Sequence, residues 1–104
     1  MTVSDWLRAR TPAPPDRLLH RLDDVLAARR DDDASHASEH LLDAADELLR
    51  DLLHRPTAGR ESALDLLTVD ALVTYAFEAA GDEPDTIGER ATHAMHRLAR
   101  AAHE

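Results

Sequence analysis

The side chains best suited to chemistry in this chain are its histidines, seven in all, three of them in the closing stretch RATHAMHRLARAAHE. Neutral imidazole binds divalent metals and titrates near neutrality, so helical spacings of His and Glu are the first place to look. Glu89, His93 and His96 are spaced to share one face of a helix, and so are His36 and His40. A zinc or iron site, however, needs a closed ligand shell with supporting hydrogen bonds. At 100° per residue, Glu89, His93, His96, Arg100 and His103 fall opposite Ile87, Ala91, Ala94, Met95, Leu98, Ala99 and Ala102. His36, His40, Asp43, Glu47 and His54 likewise fall opposite Leu41, Leu42, Ala45, Leu48, Leu49, Leu52 and Leu53. His20 faces away from Leu18, Leu19, Leu22, Val25 and Leu26. The expectation is solvated histidines with no metal and no cofactor. The alternative, a metal held by His36, His40, Glu89, His93 or His96, would need a second helix or subunit to complete it.

Other chemistries find less. The chain has no cysteine, hence no thiolate nucleophile, metal thiolate or disulfide. Ser35, Ser38 and Ser62 fall near expected helix starts, where capping accounts for them. Gly59, Gly81 and Gly88 are isolated and form no phosphate-binding loop. Arg90-x5-His96 resembles the Arg-x4–6-His motif of HEPN-type ribonucleases. That resemblance implies a dimeric helical bundle in which Arg90 and His96 act on an RNA phosphodiester. The match spans only the stretch RATHAMH, has Ala91 where the family commonly carries a polar residue, and sends the two side chains in different directions on the wheel. The reading adopted is that the protein is not an enzyme, with the ribonuclease-like or metal-binding bundle as the alternative.

A different anomaly lies in ESALDLLTVDALVTYAFEAAG. Its apolar residues surround the helical wheel, which implies cover on all sides, by the rest of the molecule or by another chain. About 100 residues can hardly enclose a helix completely, so self-association is expected, most simply as a two-fold homodimer in which Leu66, Val73 and Phe77 make contact. Asp70, Thr74 and Glu78 form a narrow polar stripe on this helix. With Tyr75 they line a pocket or set the register of a dimer, or else they lie on a seam paired with Arg60 or Arg90. Trp6 either staples the N-terminal segment to the rest or serves as an exposed anchor for a partner.

The elements that must position these residues are helices. Hydrophobic residues make up 43% of the 104, aromatics only 3%, and no alternating β-branched run occurs. Thr2 and Asp5 form a capping box opening VSDWLRAR, and TPAPP then acts as a stiff connector. Helix two begins at Pro14 or Pro15 and runs to Arg29 and Arg30. Helix three, SHASEHLLDAADELLRDLLHR, stops at Pro56. Helix four runs from about Arg60 to Ala80 with Gly81 as its cap, and helix five opens at Pro84 or Thr86. The expected fold is a single all-α domain, an antiparallel four-helix bundle over 16–104 with 1–15 as a short N-terminal helical arm.

The formal charge of −9, with twelve arginines dispersed among twenty-one acids and no lysine, argues against a phosphate-tracking nucleic-acid binder and against anionic membranes. No stretch is apolar enough to span a bilayer and no leader pattern opens the chain, so a cytoplasmic protein is expected. WLRARTPAPPDRLLHRLDDVLA together with SALDLLTVDALVTYAFEAAG resembles a group of small helical proteins from GC-rich bacteria. The resemblance implies a self-contained helical domain and no particular activity. The function expected is binding: itself as a homodimer, another protein, or both.

Overall fold

The computed structural model describes residues 1–55, 59–82 and 87–103, with the side chains at 61, 87–91 and 103 outside the described set. Within it the chain is all-α, with helices α1 (Val3–Arg8), α2 (Asp16–Leu26), α3 (Ala37–Leu53), α4 (Arg60–Gly81) and α5 (Ile87–His103). The expected openings of the last helix at Pro84 or Thr86 lie outside the described residues.

α1 begins as its sequence dictates. The Thr2 hydroxyl accepts from the Asp5 amide at 3.1 Å, and the Asp5 carboxylate accepts from the Thr2 amide at 3.1 Å. Those bonds hold the Asp5 carboxyl below its ordinary value. The residues around this start are tied to the loop before α3: the Val3 amide donates to the Asp32 carbonyl, and the Ala34 amide donates to the Met1 carbonyl, each at 2.9 Å. α1 is packed into the molecule: Val3, Trp6 and Leu7 join the same buried cluster as Leu22, Leu26, Leu41 and Leu72.

α2 ends earlier than expected. Ala27 has φ 51 and ψ −124, a conformation natural to glycine, and a 3-10 turn over Ala27–Asp31 follows. Arg29 consequently leaves the helix end and forms a two-toothed ion pair with Glu47, at 3.0 and 2.8 Å. A second short 3-10 turn, Ala34–His36, leads into α3 with Asp33 capping the Ser35 amide at 2.8 Å. At the other boundary Gly81 is the last residue of α4 rather than a left-handed cap beyond it.

α3 and α4 make the most extensive contact in the molecule, and α2 and α5 each touch both. The two central helices bury alanines, Ala37, Ala44 and Ala45 on α3 and Ala76, Ala79 and Ala80 on α4. Small side chains let the axes approach closely. The pair runs in opposite directions: Arg55, just past α3, meets Asp65 near the start of α4, while Ser38 and Ala80 share a groove at the far end.

α5 is turned relative to its expected face. Ala94 and Ala101 are buried, Leu98 is half-buried, and Met95, Ala99 and Ala102 are exposed. The reason is electrostatic. Arg97 reaches the buried Asp46 at 2.8 Å and also pairs with Asp43, which pulls the edge bearing residues 94, 97 and 101 toward α3. α3 departs from expectation for the same reason: its polar back is partly covered by Arg29 and Arg97, and Leu53 at its end is exposed.

Candidate interaction surface

Three of the large apolar side chains left exposed among the described residues lie along the outward side of α4. Leu66 is 57% exposed and Leu67 61%, with Phe77 at 37%. Val73 is half-buried beside them. The opposite face goes inward with Asp65, Thr68, Leu72, Ala76 and Ala79, a three-and-four spacing that keeps these residues on one side of the helix. α5 adds Met95, 63% exposed, to the molecule's accessible apolar residues. Isolated apolar residues on a surface are ordinary; several on one helical face are the mark of a contact site.

The polar stripe behaves differently from a buried seam. Asp70, Thr74 and Glu78 are exposed, so the two carboxylates keep their water and need no arginine. Neither acid forms an ion pair with Arg60 among the described residues, and the Arg90 side chain lies outside them. The stripe does border a depression. Asp70, Thr74, Tyr75 and Glu78 line a groove of about 360 Å³ closed on its other side by Arg10, Thr11 and Pro12. Tyr75 is half-buried there, and burial, aided by the Glu78 charge, raises its phenol above its ordinary value.

Trp6 takes the staple position. It is 5% exposed, packs edge-on against Tyr75 with centroids 6.3 Å apart and planes at 86°, and carries the Arg10 guanidinium 3.9 Å over its ring. The Arg10 Nε also donates to the Trp6 carbonyl at 3.1 Å. That arrangement leaves no exposed indole to anchor a partner.

Three buried carboxylates among the described residues are not foreseen from sequence: Asp23, paired with Arg8 at 2.6 Å, Asp46 and Asp65. Asp65 receives two bonds from Arg21, at 2.6 and 3.2 Å, and one from Arg55 at 2.7 Å. These guanidinium bonds hold its carboxyl below the ordinary range against the opposing effect of burial. Asp46 is held by Arg50 at 3.1 Å and Arg97 at 2.8 Å. The available signal is position on the wheel: Asp65 falls in line with Leu72, Ala76 and Ala79, whereas Asp70 does not.

The histidines remain dispersed. His36 Nδ1 stands 3.6 Å from Glu39, and His40 Nε2 stands 3.4 Å from Asp32. His40 is half-buried rather than on a wet face, with no partner for its buried Nδ1 among the described residues. His93 borders a groove of about 370 Å³ floored by Leu42, Ala76, Ala80 and Ala94, with Phe77 and Arg97 at its edge. His96 is exposed. Glu89 and Arg90, required by the metal and ribonuclease alternatives, have side chains outside the described residues, as does His103. Among the described residues no group of three or more His, Asp or Glu is placed to hold a metal ion. No described helix is long and apolar enough to cross a membrane. Against known proteins, no family model, curated protein or solved structure matches the chain.

Proposed function

We propose that this protein works by binding rather than catalysis, as a cytoplasmic helical module that forms a homodimer through the outward face of α4. In this reading α2 to α5 form an antiparallel four-helix bundle and α1 closes one end of it. The observation that carries the proposal is the exposure of Leu66, Leu67 and Phe77 on one face of a helix whose other face is in the core. Covering such residues stabilises an association by roughly 1.5–3 kcal/mol for each large side chain taken fully out of water. A second copy offers the same apolar face, which is how two-fold interfaces are built.

The test is solution mass by light scattering over a range of concentrations. The parent chain is expected to be dimeric at micromolar concentration. Leu66→Glu and Phe77→Glu should each weaken the dimer by about tenfold to a hundredfold, the equivalent of roughly 1.4–2.8 kcal/mol. Leu66 is mostly solvated in the single chain, so helical content should persist in Leu66→Glu, whereas Phe77 is only 37% exposed and Phe77→Glu should also lower single-chain stability. A parent chain that is monomeric throughout, or variants that retain the parental mass, would overturn the proposal.

A further inference from the structure

The charges on α4 indicate how the second copy is oriented. Arg60 stands at the first turn of α4, and Glu78 and Asp82 stand at its last turn and just beyond, all three exposed. None of them forms an ion pair among the described residues. Each also sits at the unfavourable end of the helix dipole, a cation at the N-terminus and anions at the C-terminus. At 100° per residue, Arg60, Leu67, Thr74 and Glu78 project within roughly 40° of one another, with Leu66 and Phe77 roughly 100–120° further round from Arg60 and Glu78, so the end charges lie along one edge of the exposed apolar face, beside Leu67.

From these placements we infer that the partner copy lies antiparallel to α4 about a two-fold axis near Asp70, with Arg60 of each chain facing Glu78 and Asp82 of the other. This inference rests on the self-association proposed above. A parallel pair would set Arg60 against Arg60 and Glu78 against Glu78, whereas the antiparallel pair matches opposite charges at both ends. It also brings Leu66 and Leu67 of one chain opposite Val73 and Thr74 of the other, so the more apolar half of each face covers the less apolar half of its copy. Arg60 and Glu78 are separated by eighteen positions, about 27 Å along the axis, so the two ionic contacts lie far apart and fix the direction. Asp70 is left near the axis facing its own copy. Like charges there weaken the pair and keep it reversible.

The test uses the full chain with two substitutions, Arg60→Glu and Glu78→Arg, and sedimentation or light scattering as the readout. Either variant alone should associate about tenfold more weakly than the parent, because both ends of its dimer then bring like charges together. An equimolar mixture should regain association as a heterodimer. In it the substituted position of one variant, now acidic, faces the substituted position of the other, now basic, while the unaltered Arg60 and Glu78 face each other at the opposite end. The double variant should regain a homodimer. Asp70→Asn should tighten the dimer severalfold. If Leu66→Glu breaks the parental dimer but neither single charge variant weakens it, as a parallel pair requires, or the mixture does not recover, the antiparallel orientation is wrong and the α4 interface stands. If the parent never dimerises, both fall.

Discussion

Asp65 draws α2, the end of α3 and α4 to a single carboxylate, almost fully buried, through Arg21 and Arg55. Its attraction to two guanidinium groups outweighs the cost of leaving water, so its folded pKa lies below the unfolded value. A depressed carboxyl pKa contributes stability above the unfolded value of about 3.9, and that contribution disappears as pH falls through the folded value. Glu47, held down by Arg29, acts in the same sense. Urea denaturation should therefore show stability falling below about pH 4. Asp65→Ala should cost about 2 kcal/mol at neutral pH, because Arg21 loses its carboxylate while the half-exposed Arg55 keeps only Asp51, and should flatten part of the acid limb. An effect under about 0.5 kcal/mol would mean that the arginines find water as readily as they find Asp65. Five residues on, the exposed Asp70 should be replaceable by Ala within about 0.5 kcal/mol of single-chain stability.

Among the helices, caps and breakers set most boundaries and one strained residue sets another. Nothing in LAARRDDD marks Ala27 as the end of α2, since alanine is the best helix former. The chain turns there because Arg29 has Glu47 to reach and because the loop over Asp32 and Ala34 must meet the N-terminal segment. A residue with a Cβ at φ 51 costs roughly 1–2 kcal/mol, of which glycine recovers most. Ala27→Gly is thus expected to stabilise the protein by about 1 kcal/mol, raising the thermal midpoint by about 4 °C. An unchanged or lower midpoint would remove the claim of strain at this turn. α5 is rotated from its expected face by a comparable cause, the reach of Arg97 to Asp46. Hydrophobic periodicity locates a helix well but orients it poorly when alanine dominates, because exposing an alanine costs little compared with breaking a buried ion pair.

In the molecule taken together, the N-terminal segment is a structural member. Val3, Trp6 and Leu7 are in the common core, and Trp6 fills the space against Tyr75. Trp6→Ala should destabilise the chain by about 3–5 kcal/mol in chemical denaturation. A loss below about 1 kcal/mol would mean that Trp6 contributes little to the common core. Such a variant need not impair the proposed α4 dimer in the fraction that remains folded, since Trp6 and the Leu66–Phe77 face belong to different surfaces. Stability and assembly should therefore separate: Trp6 governs the first, Leu66 and Phe77 the second.

The all-α class, the existence and order of five helices, the Thr2–Asp5 cap and the abnormal apolarity of α4 are all legible in the amino-acid order. Those properties depend on local rules of capping, helix breaking and periodicity, which act over one or two turns and need no tertiary information. Folding alone places Asp65 and Asp46 inside while Asp70 and Glu78 stay outside, makes Trp6 a staple, and selects the edge of α5 that faces in. Each of those outcomes depends on a partner far away in the chain, Arg21 for Asp65, Tyr75 for Trp6 and Asp46 for Arg97. Local periodicity carries no record of such pairings. The histidines of RATHAMHRLARAAHE illustrate the same division: their spacing is plain in the chain, whereas a site requires convergence from several elements.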